Sequence, residues 1–199
     1  MRQSTRINKA LRYVRALLAK KLPEGIYYHD IRHTVDVYTS AMRYGIMERL
    51  DGNDVELLGM AGIFHDTGYI KRYEKNEPVG AKIAKKYMKK EGFAKAEIEK
   101  VKELIMATQM PQKPRGIMQQ IMCDADLDNL GREDFIRKGN MLRREFEARR
   151  EKGFSDNEWS SIQIDFVSNH VYFTRSAKRQ RDAGKRKNIA KLRSMLKKR

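Results

Sequence analysis

Apolar residues recur along this chain mainly at intervals of three and four, the spacing of one face of an α-helix. The clearest case covers residues 5–22, with arginines and lysines on the opposite face, and Pro23 and Gly25 end it. A near-continuous apolar run at 55–64 predicts a buried helix capped by Asn53 or Asp54, and Ser155 with Glu158 predicts a capping box for a helix reaching residue 171. Further helices are predicted from before residue 29 toward residue 50, and over 79–91, 95–110, 117–130, 132–152 and 188–198. No alternating strand pattern occurs, so the chain is predicted to be all-α.

The length of 199 residues, with 40% hydrophobic residues, suits one globular domain with appended ends. We expect a basic amphipathic helix at 1–25 that packs on the core, a main domain at 26–180, and a basic tail or helix at 181–199. No apolar run approaches the ~20 residues of a membrane span, and no signal-like segment opens the chain, so a cytoplasmic location is expected. The single Cys123 excludes an internal disulfide and is expected to be a small buried residue.

The net charge of +17 is concentrated at the two ends of the chain. Residues 1–22 carry +7 and residues 175–199 carry +11, which leaves −1 for everything between them. Such ends favour nonspecific contact with RNA, DNA or an acidic membrane surface. The alternatives are that they are solvated helix faces or that they draw an anionic substrate toward the site. The tail lacks aromatic residues for base stacking after Phe173, which argues against dedicated nucleic-acid recognition.

Three of the four histidines fall in two short motifs. His29 and His33 are four residues apart, the spacing of one helix face, and His65-Asp66 ends the apolar run before Gly68. An acidic cluster follows about sixty residues later, and its members are Asp124, Asp126 and Asp128. Imidazole nitrogens with carboxylate oxygens suit a divalent ion such as Mn²⁺, Fe²⁺, Co²⁺, Ni²⁺, Zn²⁺ or Mg²⁺.

These motifs resemble the HD-domain metal-dependent phosphohydrolases, whose ordered signature is His, then His-Asp, then a late Asp. The chain is also similar to a small bacterial single-domain subgroup, with Tyr-His-Asp-x-x-His-Thr at 28–34, Phe-His-Asp-x-Gly-Tyr at 64–69, Ala-Thr-x-x-Pro at 107–111 and Asp-Ala-Asp-Leu at 124–127. The resemblance implies a single-domain HD-type helical bundle.

The resemblance also implies a set of metal ligands, namely His33, His65, Asp66 and Asp126. Asp124 competes for the last position, and Asp126 is preferred because the family places its ligand after the alanine. Asp128 is expected at the surface or as a cap. Asp66 would also orient the attacking water.

The His-x-x-x-His spacing after a tyrosine also resembles the opening motif of cyclic-nucleotide phosphodiesterases, whose first histidine is the general acid. His29 is therefore a candidate acid, and the alternative is a hydrogen bond that only supports the ligands. His170 is expected to be a packing histidine. Many family members have another histidine between the central pair and the late Asp, where this chain has Thr108 and Gln109, so a single ion is expected.

The function implied is that of a metal-dependent phosphohydrolase or phosphodiesterase, in which metal-activated water attacks phosphorus in a small phosphorylated substrate, with a nucleotide as the expected class. Candidate substrate-binding residues are Lys71, Arg72, Thr108 and Lys113. Two alternatives stay open: a non-catalytic protein on an HD scaffold that senses metal or nucleotide or binds nucleic acid through its basic ends, and a metal-dependent nuclease. The sequence leaves the oligomeric state open.

Overall fold

The computed structural model describes residues 5–149 and 153–197 of the chain. Over these residues the chain forms α-helices and two short 3₁₀ turns without a β-strand, which confirms the all-α prediction. The helices are α1 (Thr5–Lys21), α2 (Ile31–Met47), α3 (Gly52–Phe64), α4 (Glu77–Lys90), α5 (Lys95–Met106), α6 (Gly116–Asp126), α7 (Phe135–Glu147), α8 (Asp156–Asn169) and α9 (Arg175–Lys197). The 3₁₀ turns are Thr67–Ile70 and Asp128–Gly131.

Helix α3 lies at the centre of the bundle. It packs against α1, α2, α4, α5 and α6, and Leu58, Met60, Ile63 and Phe64 are completely buried. A helix enclosed by five neighbours needs apolar side chains all around, which accounts for the near-continuous apolar run in its sequence.

A close crossing of α2 and α3 brings two histidines together. A Cβ on Gly62 would lie 2.6 Å from the Cα of Tyr38, so only glycine lets the two backbones approach this closely. His33 occupies the first turn of α2, where Asp30 accepts hydrogen bonds from the backbone N–H groups of Arg32 and His33. His65 directly follows α3. The crossing therefore places the start of α2 beside the end of α3.

The turn after His65-Asp66 folds tightly against the start of α4. A Cβ on Gly68 would lie 1.9 Å from the carbonyl oxygen of Asn76, so this approach also requires glycine. Thr67 adds a hydrogen bond of 2.7 Å from its hydroxyl to the carbonyl oxygen of Phe64. These contacts fix the direction in which Asp66 leaves the helix end.

The first and last described helices both pack on the core. Helix α1 buries Ile7, Val14 and Leu18, in agreement with its apolar spacing. Helix α9 begins at Arg175 and continues without a break to Lys197, so the expected boundary between residues 180 and 181 falls inside one helix. Leu192 is 1% exposed, which joins the second half of α9 to the core. Residues 198–199 lie outside the described residues.

Several predicted helix ends differ from those in the structure. The N-cap of α3 is Asp51, which accepts a hydrogen bond from the N–H of Asp54, and α5 ends four residues earlier than residue 110. The helix expected over 132–152 is α7, with residues 150–152 outside the described part. The capping box of Ser155 and Glu158 is confirmed. Within the described residues, no helix has the length and apolar character needed to cross a membrane.

Candidate active site

Four side chains from three separate helix ends converge on one point. The Nε2 atom of His33 lies 3.3 Å from an oxygen of Asp66 and 3.3 Å from an oxygen of Asp126. The Nε2 atom of His65 lies 3.0 Å and 3.4 Å from the same two oxygens, and 3.3 Å from the Nε2 of His33. The residues proposed as ligands from the resemblance are thus the ones that the fold brings together.

The ligand atoms of His33, His65 and Asp66 all lie within 4.8 Å of one another, which fits a single divalent ion, and Asp126 adjoins both imidazoles. Ligand atoms bound about 2.1 Å from one ion at right angles lie roughly 3 Å apart, close to the spacing here. Oδ2 of Asp66 is buried and has no donor beside it other than the two imidazole nitrogens, so it is available for a cation when those nitrogens are unprotonated. The Nδ1 of His65 is 2.9 Å from the carbonyl oxygen of Gly62, and this contact leaves Nε2 as the lone-pair atom that faces the carboxylates. Gln112 supports Asp126 from outside through a 3.3 Å hydrogen bond.

The charges of the four groups depend on one another. Burial is the largest single influence and opposes charge on each group. The contacts with the carboxylates outweigh burial and raise the pKa of His33, and they raise the pKa of His65 well above its usual range. The imidazoles in turn lower the pKa of Asp66 and Asp126. A divalent ion would therefore compete with protons for these ligands.

The other two aspartates of the acidic cluster have structural contacts. Asp124 is fully buried and accepts hydrogen bonds of 2.8 Å from the backbone N–H groups of Phe173 and Thr174. It therefore anchors the segment before α9 and does not face the ligand cluster. The expectation that Asp128 is a surface or cap residue was wrong. Asp128 is 2% exposed and binds Arg43, Tyr44 and Arg181, because α9 packs over the 3₁₀ turn that contains it.

His29 reaches the site from a loop. Helix α2 begins at Ile31, so the expectation that His29 and His33 share one helix face was wrong, and Asp30 caps the helix between them. Their rings nevertheless lie 5.5 Å apart, edge to face. His29 also stacks on Tyr69 with 4.3 Å between ring centroids, and its Nε2 is 3.3 Å from the Tyr69 hydroxyl. His29 is thus a neighbour of the ligand cluster.

Glu145, a residue that the sequence reasoning missed, holds His29 in place. One oxygen of its carboxylate lies 2.5 Å from the Nδ1 of His29. The other accepts hydrogen bonds from the backbone N–H groups of Tyr27, Tyr28 and His29 at 3.0, 2.8 and 3.1 Å. Burial raises the pKa of Glu145, but the contact with His29 and the backbone N–H groups outweigh burial and lower it to about 2. A carboxylate on Nδ1 leaves Nε2 of His29 as the atom that faces the cavity.

A signal for Glu145 was present in the sequence. Arginines and a second glutamate surround it, which suggests a solvated surface, yet it lies on the helix face marked by Phe135, Gly139 and Leu142. Ionisable residues on the inner face of a helix are rarely buried without a partner. The position of Glu145 on that face indicated a buried partner, while the identity of the partner required the fold.

A cavity of about 340 Å³ opens over the ligand cluster and has two unlike ends. The first end is polar and includes His29, His33, Asp66 and Asp126. The second end is formed by α7, α8 and the 3₁₀ turn before α7, with mainly apolar and aromatic side chains; they include Leu130, Leu142, Phe146, Trp159, Ile162 and Phe166. The volume is that of a small-molecule site.

The candidate substrate-binding residues divide into two groups. Thr108 lines the cavity and is 5% exposed, with its hydroxyl 2.9 Å from the carbonyl oxygen of Ile105. The structure does not bring Lys71, Arg72 or Lys113 to the cavity lining, since all three side chains are exposed on the outer surface. The cavity instead contains Lys138, which forms an ion pair with Asp36.

Two further residues have no direct part in the site. His170 lies at the end of α8 and packs edge to face on Tyr172, and burial lowers its pKa to about 4. Cys123 is buried, as expected, and donates a hydrogen bond to the carbonyl oxygen of Ala107.

Comparison with known proteins agrees with this fold. The chain resembles YpgQ of Bacillus subtilis in complex with ADP, with a TM-score of 0.71 and 16% identity over 97% of this chain and 94% of that one. It also resembles an HD-superfamily hydrolase of Bacillus thuringiensis, with a TM-score of 0.68 and 16% identity over 97% of this chain and 96% of that one. A predicted HD superfamily hydrolase of an uncultured Thermotogales bacterium has a TM-score of 0.53 and 20% identity over 79% of this chain and 87% of that one. No curated protein sequence matches. The HD domain family matches residues 28–128, just over half of the chain, and this span contains all four proposed ligands and His29. The chain belongs to the HD domain family.

Proposed function

We propose that this protein is a metal-dependent hydrolase that cleaves a phosphoric ester or anhydride bond in a small phosphorylated substrate. The observation that carries the proposal is the convergence of His33, His65, Asp66 and Asp126, with His29 beside them. A divalent ion held by these four side chains would acidify a bound water and neutralise phosphate charge. Mn²⁺, Fe²⁺, Co²⁺, Ni²⁺, Zn²⁺ and Mg²⁺ are all compatible with this donor set.

His29 is the proposed general acid. The Glu145 carboxylate holds its Nδ1 side, so the Nε2 side faces the cavity and would carry the proton for the leaving oxygen. Tyr69 stacks on the ring and limits its rotation. Asp66, whose carboxylate lies beside both His33 and His65, would in addition orient the attacking water.

A nucleotide is the proposed substrate class. The similar protein YpgQ was solved with ADP, which supports a nucleotide ligand for a fold of this kind. A cavity of about 340 Å³ with one charged and one apolar end also suits a molecule with a phosphate at one end and a ring at the other.

The test measures both the release of hydrolysis products and the binding of metal. Mono-, di-, tri- and cyclic nucleotides are incubated with Mn²⁺ and the wild-type protein, and release of phosphate or nucleoside is measured. Asp66→Ala is expected to abolish both metal binding and hydrolysis. His29→Gln is expected to retain the metal and lose about 10² to 10⁴-fold in turnover. His170→Gln is the matched control, because this histidine lies away from the cavity.

Metal loss in His29→Gln would make that residue a ligand and remove it as the acid. Metal binding without hydrolysis of any compound would refute the enzyme and favour a sensor on the same scaffold.

A second candidate function, contact with nucleic acid, is favoured by the exposed surface of α9. Within the described part of the chain, seven exposed cations of this helix form no ion pair; they are Arg175, Lys178, Arg179, Arg186, Lys187, Lys191 and Arg193. Such a face would attract phosphate backbones in a salt-dependent manner.

This candidate is tested by charge reversal within α9. Removal of residues 181–199 would also remove Arg181 and Leu192 from the core, so Arg186→Glu with Lys187→Glu is preferred. The control is Lys82→Glu with Lys86→Glu, two exposed cations of α4. Loss of salt-sensitive RNA or DNA binding in the α9 variant alone supports the candidate, and equal binding by both variants refutes it. Metal-dependent cleavage of the bound strand would identify the protein as a nuclease.

A further inference from the structure

The lining of the cavity contains polar atoms that an apolar ligand would leave unpaired. Trp159 is 4% exposed and lines the cavity, and its Nε1–H is buried without a hydrogen-bond partner. The Oδ1 atom of Asn129, which lines the same cavity, is also buried without a partner. The indole offers only a donor, and Oδ1 is an acceptor. Since buried polar groups are normally paired, both atoms indicate a ligand that accepts one hydrogen bond and donates another.

The walls around these two atoms suit a flat apolar body. Phe146 meets the indole of Trp159 edge to face at 5.9 Å between centroids. Ile162 and Phe166 line the cavity although they are 43% and 41% exposed, so they form an apolar rim at its mouth. Exposed large apolar side chains at the rim of a cavity are typical of a ligand-binding surface.

A third polar group faces this part of the cavity from α8. Gln163 lies against the backbone of α7 at Gly139, where an added Cβ would be 2.2 Å from its Nε2 atom. Both residues line the cavity. The glycine therefore leaves room for the amide, which has both donors and an acceptor.

We infer that this chamber, formed by α7, α8 and Asn129, receives the base of a nucleobase-bearing substrate, with the Trp159 Nε1–H and the Asn129 Oδ1 paired to the edge of the base. Nucleobases are flat and carry hydrogen-bond donors and acceptors along one edge, whereas an alkyl chain has neither and a sugar phosphate lacks the apolar plane. The placement of the substrate phosphate at the ligand cluster rests on the proposed function, whereas the placement of the base rests on the lining of the chamber.

The experiment uses the full chain carrying Asp66→Ala, so that hydrolysis does not intervene. Trp159 is the single tryptophan of the protein, and its fluorescence reports the chamber directly. Excitation at the red edge of indole absorption avoids absorption by the bases. Adenosine, guanosine, cytidine and ADP are titrated beside ribose 5-phosphate and octyl phosphate. The expected result is a saturable change with the nucleosides and the nucleotide, and none with the two base-free phosphates.

Two substitutions then separate hydrogen bonding from packing, with affinities measured by calorimetry. Trp159→Phe keeps an aromatic ring without the N–H group, and Asn129→Ala removes the acceptor. Each is expected to weaken nucleoside binding by about fivefold, the effect of one neutral hydrogen bond. Asn157→Ala is the matched control, an exposed asparagine of α8 outside the cavity lining, and is expected to leave binding unchanged.

The outcomes distinguish this inference from the proposed function. A fluorescence response to octyl phosphate but not to nucleosides would overturn the inference in favour of a lipid-like substrate. The inference would also be overturned if the wild-type protein hydrolyses nucleotides while Trp159 fluorescence does not change and both variants bind nucleosides with unchanged affinity. Nucleoside binding at Trp159 without hydrolysis by the wild-type protein would refute the proposed enzyme but support the chamber as a binding site for the base.

Discussion

Replacing Glu145 by glutamine tests how strongly one buried carboxylate holds the entrance of α2 and His29. The change keeps the shape of the side chain and an oxygen that can accept backbone hydrogen bonds, but it removes the charge. The pKa of Glu145 is lowered from the usual 4.5 to about 2, and a difference of that size corresponds to about 3 kcal/mol of folding stability.

The sign of the pH dependence follows from the depressed pKa. Above the unfolded pKa of 4.5 the carboxylate is ionised in both states, so its full contribution is present at neutral pH. As the pH falls through the folded value of about 2, Glu145 is protonated in the native protein too and the contribution is lost. We therefore expect Glu145→Gln to be about 2 to 3 kcal/mol less stable than the wild type at neutral pH, with the gap narrowing toward the lower pKa.

The assay is urea denaturation of both proteins at neutral pH and at a series of acidic pH values. Glu133→Gln is the control, because Glu133 is an exposed glutamate just before α7. If His29 is the acid, Glu145→Gln also lowers turnover at least tenfold while metal binding is unchanged. A stability gap that is independent of pH, or no larger than that of the control, would refute the electrostatic reasoning.

Three further outcomes are expected from the packing, the buried ion network and the ligand cluster. Gly62→Ala should cost about 2 to 4 kcal/mol in urea denaturation, because its Cβ would lie 2.6 Å from the backbone of α2, whereas Gly52→Ala in the same helix meets nothing within 4 Å and should be close to neutral. Asp128→Ala leaves two arginines without their buried partner and should cost about 3 kcal/mol, against less than about 1 for Asp134→Ala, because the Asp134 side chain is 23% exposed and that of Asp128 only 3%. Metal affinity measured by calorimetry should fall as the pH is lowered, since the ligand imidazoles have raised pKa values and must lose their protons to bind an ion; affinity independent of pH would contradict this.

Helix periodicity predicted most of the fold because the core is built from helix faces. The run at 55–64 became the buried centre of the bundle, and the spacing in residues 5–22 became the packed face of α1. The ends of helices were less predictable because capping depends on a single local geometry. Asp51 caps α3 in place of Asn53 or Asp54, although all three side chains are chemically suitable.

The position of His29 could not be predicted from the spacing of neighbouring residues alone. Its spacing from His33 indicated one helix face, but the backbone N–H groups around it bind Glu145, which is 116 residues away in sequence. Asp128 is similar, because the hydroxyl of Tyr44 that binds it is 84 residues distant. A buried charged residue is mistaken for a surface residue when its partner is distant in sequence, because the sequence around it gives no sign of that partner.

Helix α7 joins the two ends of the cavity. Glu145 fixes His29 beside the ligand cluster, while Leu142 and Phe146 on the same helix form part of the apolar wall. Because all three belong to one rigid element, a ring seated against that wall has a set position relative to the imidazole. Contacts remote from the reacting atoms assist a reaction when they align it with the catalytic groups. A substrate with a base would therefore present its phosphate to His29 in one orientation, whereas a base-free phosphate would be held only at the polar end of the cavity.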